Sequence, residues 1–106
     1  MTETSSNSSM NPAVAYCYSE WLRVYKAEKS KGEFWTDASK TASRAYREAM
    51  PSLSGQENIR NFVACVAHGM LISAIDGKVG TKLLYAAQVA LSTIRGKSAP
   101  AQVTAA

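Results

Sequence analysis

The chain has 106 residues, of which 46% are hydrophobic and 19% are charged, and its formal net charge is +4. This length builds one small domain, and this composition excludes a wholly disordered, a collagen-like and a disulfide-dense protein. The longest nearly uncharged apolar run, residues 62–75, is shorter than the roughly 20 residues that cross a bilayer, so we expect a soluble protein with no membrane partner.

Both ends of the chain are poor in side chains that a core would bury. Residues 1–10 are mostly Ser, Thr and Asn, and residues 97–106 are mostly small residues with Lys, Ser and Pro. Burial does not repay the ordering of such segments. We therefore predict disordered tails at 1–10 and 97–106 around a single helical domain at 11–96. The first tail has no basic residue and no apolar stretch, so we expect no secretory signal.

The first helix is predicted to begin after Asn11 and to end near Ser30. Asn is a favourable N-cap, and Pro12 suits the first helical position. Gly32 suits the residue just past the helix end. One face of this helix is apolar and the other is polar. The apolar face consists of Val14, Cys17, Trp21, Val24 and Tyr25.

A second helix is predicted to begin at Thr36 or Asp37, which are both favourable caps, and to end before Pro51. Its apolar stripe is rich in alanine, which lets another helix approach closely. The stripe consists of Ala38, Ala42, Ala45, Tyr46 and Ala49. Helical spacing places three basic residues together on the opposite side, where they should project into solvent. These residues are Lys40, Arg44 and Arg47.

The third helix is predicted to be the buried centre of the fold, over about residues 55–76. The segment Ser54-Gly55-Gln56-Glu57 fits a capping box, and Gly77 suits the end of the helix. From Phe62 onward every face is apolar, which is typical of a buried helix. Gly69 should let an aromatic ring pack closely against this helix. The candidate rings are Trp21, Tyr46 and Tyr85.

A fourth helix is predicted to begin between Lys78 and Thr81 and to end near Arg95. The break at residues 76–78 is short, which favours an antiparallel hairpin with the third helix. The core stripe of the fourth helix consists of Leu83, Ala87, Ala90, Leu91 and Ile94. No segment alternates like a strand, so the expected fold is all-α, with four helices packed around a central one.

The chain contains two cysteines, Cys17 and Cys65, and one histidine, His68. Cys65 and His68 are spaced to share one side of a helix. A structural zinc site, however, needs four ligands, and a catalytic dyad needs a third, orienting group. We therefore expect reduced core thiols, a histidine with one hydrogen-bond partner, no metal, no cofactor and no catalytic residue. Few cysteines and no signal favour the cytoplasm.

The net charge is concentrated in residues 23–47, which hold seven basic and three acidic residues and so account for the charge of the whole chain. Aromatic side chains at Phe34 and Trp35, near the turn before the second helix, are typical of sites where single-stranded bases stack. The alternative is that these charges only solvate a helix face and that Trp35 closes the end of the bundle. The candidate residues for binding nucleic acid or an acidic partner are Arg23, Lys26, Lys29, Lys31, Trp35, Lys40, Arg44 and Arg47.

Three classes of function remain open. The leading hypothesis is a non-enzymatic interaction module, such as an adaptor, an inhibitor or an accessory subunit, because catalytic spacings are absent and apolar surface is left over on the third and fourth helices. The second is a small nucleic-acid-binding or regulatory protein that uses residues 23–47. The third is an enzyme built around Cys65 and His68. The spare apolar surface also favours a homodimer.

Overall fold

A computed structural model describes residues 10–95, which form four α-helices with no strand. The all-α prediction is therefore confirmed. Within this range no helix combines the length and the hydropathy that crossing a membrane requires. The predicted tails, 1–10 and 97–106, lie outside the described residues except for Met10. The helices are α1 (Pro12–Ser30), α2 (Trp35–Glu48), α3 (Gln56–Leu71) and α4 (Gly77–Ile94).

The start of α1 is fixed by the side chain of Asn11, as predicted. Its carboxamide oxygen accepts hydrogen bonds from the backbone N–H groups of Ala13 and Val14, at 2.8 and 3.2 Å. Pro12 occupies the first helical position, where its missing N–H costs nothing. The amide nitrogen of Asn11 also donates to the side-chain oxygen of Asn61 at 3.0 Å. The same residue therefore caps α1 and ties it to α3.

α2 begins earlier than predicted, at Trp35 instead of Thr36 or Asp37. Phe34 occupies the N-cap, and its side chain has no atom that accepts a hydrogen bond. The capping preference of Thr36 and Asp37 therefore did not decide where the helix begins. As a result Trp35 belongs to the first turn of α2 and not to the connection before it.

The predicted capping box at the start of α3 is wrong. Gly55 occupies the N-cap with a φ of 87°, a left-handed conformation that favours glycine. This moves Ser54 one position outside the helix. The hydroxyl of Ser54 instead lies 2.9 Å from the hydroxyl of Ser52.

α3 ends five residues before its predicted end. The N–H of Ala74 donates to the carbonyl of Gly69 at 2.7 Å, and the N–H of Ser73 donates to that of Met70 at 3.2 Å. This pair of bonds is the Schellman motif, which closes a helix at a left-handed residue. Here Ser73 is that residue, with a φ of 63°. Gly77, predicted to terminate α3, is instead the first residue of α4.

α4 follows after a connection at residues 72–76, so the predicted break at 76–78 is displaced. The carboxylate of Asp76 caps the helix by accepting from the backbone N–H groups of Lys78 and Val79, at 2.9 and 3.4 Å. Within the core stripe of α4, Ala87 is buried. Ile94, the last residue of the helix, is exposed, contrary to prediction.

α3 is in contact with both α1 and α4, and α1 is in contact with both α2 and α3. α3 supplies five buried residues, more than any other helix in the described range. Val63 and Leu71 are nevertheless exposed on its outer side, because three short helices do not surround it. The apolar surface predicted to be left over on α3 therefore lies on that side. The buried side chains of the fold are Val14, Cys17, Ala38, Ala42, Tyr46, Ile59, Phe62, Cys65, Val66, Ala74, Ile75 and Ala87.

Gly69 lets the ring of Tyr46 approach α3. A Cβ at this glycine would lie 3.0 Å from Cε1 of Tyr46, and the Tyr46 hydroxyl donates to the carbonyl of Cys65 at 2.7 Å. Of the three predicted rings, Tyr46 is therefore the one that packs here. Trp21 instead donates from Nε1 to the hydroxyl of Ser43 at 3.2 Å.

Candidate functional site

A groove of about 610 Å³ lies between α2 and the connection from α3 to α4. We call it the basic groove. One wall belongs to the polar side of α2, and the other consists of Met70 and residues 73–77. Three basic residues and one acidic residue, Asp76, line it, so its formal charge is +2. The residues that α2 contributes are Ser39, Lys40, Ser43, Arg44 and Arg47.

Helical spacing explains why the cations of α2 point into the same groove. Ala38, Ala42 and Tyr46 are buried and fix which side of α2 faces the core. Lys40 and Arg44, four residues apart, then lie together on the polar side. Like charges at this spacing repel each other and destabilise a helix. The pair of cations on this side of α2 therefore adds no favourable charge interaction of its own to the helix.

Arg47 is held in the wall of the groove by a tertiary hydrogen bond. Its Nη1 donates to the carbonyl of Ala74 at 2.8 Å, which joins α2 to the connection after α3. A guanidinium carries five N–H donors, so the others remain available to a ligand. Arg47 is exposed as predicted, like Lys40 and Arg44, and the hydrogen bond to Ala74 is a contact that the helical spacing did not indicate.

Two of the remaining cations of the basic segment, Arg23 and Lys31, differ from those of the groove because they have acidic partners. The two ion pairs within residues 10–95 join Arg23 to Glu20 at 2.8 Å and Lys31 to Glu28 at 3.2 Å. The hydrogen-bonded guanidinium of Arg23 lowers the pKa of the Glu20 carboxyl. Neither pair includes a residue of the groove, so the groove keeps its positive charge.

The other predicted binding residues lie apart from the groove. Lys26 and Lys29 belong to α1, and the Nζ of Lys29 donates to the carbonyl of Glu33 at 3.3 Å. Trp35 is 64% exposed and Phe34 is 77% exposed. Such exposure does not fit a tryptophan that closes the end of the bundle. Trp35 precedes the first groove residue of α2 by one turn.

Sequence reasoning missed the far wall of the groove and its hydroxyl groups. Ser39 and Ser43 repeat at the spacing of Lys40 and Arg44, which is a signal that could have been found. The hydroxyl oxygen of Ser43 accepts from Trp21, and its O–H remains as a donor. No sequence pattern indicated that residues 73–77 line the groove. They can do so only because α3 ends before residue 73, which was not predicted.

The thiols of Cys17 and Cys65 meet in the core, with their sulfur atoms 3.7 Å apart and no disulfide. Burial raises the pKa of both thiols, and it raises that of Cys65 to about 12. A thiol with such a pKa is protonated at neutral pH and is a poor nucleophile. The thiol of Cys65 therefore has the thiol of Cys17 as its hydrogen-bonding neighbour.

His68 lies among aromatic rings. Its ring centroid is 5.6 Å from that of Tyr18 and 6.2 Å from that of Tyr46. Its Nε2 is buried without a hydrogen-bond partner among the described residues, so the predicted partner is missing at this atom. Within residues 10–95, no three His, Cys, Asp or Glu side chains are grouped to hold a metal ion.

Comparison with protein families, with curated proteins and with solved structures finds no match to this chain. Function therefore has to be inferred from the geometry and charge of the basic groove.

Proposed function

We propose that this chain is a non-enzymatic interaction module that binds an acidic segment of a protein partner in the basic groove. The observation that carries the proposal is the convergence of Lys40, Arg44 and Arg47 on one groove, outside both ion pairs of the described residues. Their mutual repulsion is relieved when a partner supplies negative charge. An adaptor, an inhibitor or an accessory subunit would each use such a surface.

Exposed aromatic residues support a protein as the partner. Phe34 and Trp35 stand side by side in solvent, and Trp35 lies one turn from the groove. Tryptophan, tyrosine and arginine are the residues that most often dominate binding energy in protein interfaces. An acidic segment in the groove and an apolar side chain on Trp35 would together form a compact contact.

The contact between the two thiols supports a non-enzymatic protein and a reducing compartment such as the cytoplasm. Two sulfur atoms 3.7 Å apart that are not joined fit a compartment that keeps thiols reduced. Their burial and protonation favour a structural role over a catalytic one. The exposed apolar side chains of α3, Val63 and Leu71, support self-association into a homodimer.

A second candidate function is the binding of single-stranded nucleic acid. It is favoured by one observation, the 64% exposure of Trp35 beside a groove of three cations. In such sites bases stack on aromatic rings while basic side chains contact phosphates. The two candidates predict different partners for the same surface.

A capture experiment from host lysate, with and without nuclease, tests the proposal. The bait is the full chain, compared with the double variant Lys40→Gln, Arg44→Gln. A matched control is Arg60→Gln, Lys82→Gln, which removes the same charge from exposed positions of α3 and α4. We expect an acidic protein to be retained by wild type and control after nuclease treatment and lost with the groove variant.

Two results would contradict the proposal. Retention that disappears with nuclease would favour the nucleic-acid candidate. Equal retention by wild type and the groove variant would show that the partner binds elsewhere on the molecule.

A further inference from the structure

We propose that the basic groove recognises a phosphate monoester on the partner, that is, a phosphorylated side chain. This inference rests on the proposed function, because it takes the groove to be the partner-binding site. It adds the chemical group that the groove selects.

The charge of the groove matches that of one phosphate monoester. Lys40, Arg44 and Arg47 supply three positive charges and Asp76 one negative charge, for a formal +2. A phosphorylated side chain carries about −1.5 to −2 at pH 7, whereas a carboxylate carries −1. The Oδ2 of Asp76 accepts from the backbone N–H groups of Lys78 and Val79 at the start of α4, so part of this carboxylate's hydrogen-bonding capacity is already used.

The donors of the groove also suit a phosphoryl group. Two guanidinium groups offer paired N–H donors that fit two oxygens of a phosphate at once. The hydrogen bond from Arg47 to Ala74 holds one of them in place before the ligand arrives, which lowers the entropic cost of binding. Ser39 and Ser43 add hydroxyl donors on the same wall. Three terminal oxygens can use more of these donors than the two of a carboxylate.

The size of the groove favours a phosphorylated segment of a protein over a free phosphate ion. Its volume of about 610 Å³ is in the range of sites that hold drug-sized ligands. A phosphate fills only part of that space, so the residues on either side of it have room. Within a nucleic acid strand each phosphodiester carries a single charge, so the interior of a strand offers no dianion to this cluster.

Fluorescence anisotropy with peptide libraries tests the inference on the full chain. Three degenerate libraries differ only in the fixed central residue, which is phosphoserine, serine or glutamate. We expect the phosphoserine library to bind at least about tenfold more tightly than the glutamate library, since charge-assisted hydrogen bonds each contribute that much. The serine library should bind most weakly.

Single variants locate the binding. Arg44→Gln and Lys40→Gln should each weaken binding of the phosphoserine library about tenfold. Arg60→Gln removes the same charge as Arg44→Gln from the exposed side of α3 and should leave it nearly unchanged. Arg47→Lys keeps the positive charge but removes the paired N–H donors of the guanidinium, so it should also weaken binding of the phosphoserine library. Circular dichroism confirms that each variant is folded.

The outcomes separate this inference from the function on which it rests. If the glutamate library binds as tightly as the phosphoserine library and Arg44→Gln weakens both, the phosphate inference is overturned and the acidic-partner function stands. If no library responds to Arg44→Gln, both are overturned. If a single-stranded oligonucleotide binds the groove more tightly than the phosphoserine library, both are replaced by the nucleic-acid candidate.

Discussion

At the scale of single residues, Cys17 and Cys65 are in contact with each other in the core. Both residues are fully buried, and a free thiol packs there as a small hydrophobic group. We predict that Cys65→Ser lowers the free energy of unfolding by about 1–3 kcal/mol, because it buries a more polar hydroxyl. Urea unfolding measures the change. Peptide binding by the folded variant should match wild type, and a lost affinity would contradict a purely structural role.

The buried thiols also predict a loss of stability at alkaline pH. The pKa of Cys65 is raised to about 12 in the folded state, above about 8.5 in an unfolded chain. Below about pH 8.5 the thiol is protonated in both states and its contribution is fully present. Above that pH the unfolded state releases the proton more easily, so stability falls until the folded pKa is reached.

Urea midpoints at pH 7.5, 9.0 and 10.5 measure this loss. Burial raises the pKa of Tyr46 as well, so the tyrosine acts in the same direction. Cys65→Ala removes the thiol and should make the alkaline decline shallower than in wild type. Parallel declines in the two proteins would show that Cys65 does not carry the effect.

At the scale of the elements, the sequence predicts a boundary well where several signals agree. Asn11 and Pro12 both mark the start of α1, and the helix begins there. The end of α3 had a misleading signal, because Gly77 suits a terminator while Ser73 takes the left-handed position. Serine in this conformation depends on the Schellman bonds, which no local pattern indicates. The cations of the groove were therefore predicted from helical spacing, and its far wall was not.

The left-handed conformation of Ser73 gives the third prediction. A positive φ is sterically unfavourable for a residue with a Cβ and much less unfavourable for glycine. We expect Ser73→Gly to raise the free energy of unfolding by about 0.5–1 kcal/mol after the greater freedom of glycine in the unfolded chain is counted. Thermal unfolding measures it. Ser73→Ala is the matched control and should bring no gain, and a gain from alanine would show that the strain is not the cause.

At the scale of the whole molecule, four short helices leave α3 uncovered on its outer side. Helical spacing predicted a central α3 because its residues are apolar on every face. The sequence also predicted that some apolar surface of this helix is left over, but which side stays open is a property of the packing that only the structure shows. Leu71 is 80% exposed there, and Ala67 and Val63 lie one and two turns before it on the same side. A small domain gains stability if this stripe is buried against another surface.

Self-association through this stripe is the last prediction. We expect light scattering to give a mass near twice 11.4 kDa at high concentration and a decline towards 11.4 kDa on dilution. Leu71→Lys should give the monomer mass throughout, because a charge placed in the centre of an apolar interface is costly to bury. Ala27→Lys is the control, since Ala27 is also an exposed apolar residue but lies on α1. A wild-type mass of 11.4 kDa at every concentration would exclude the homodimer and leave the outer side of α3 to a different protein.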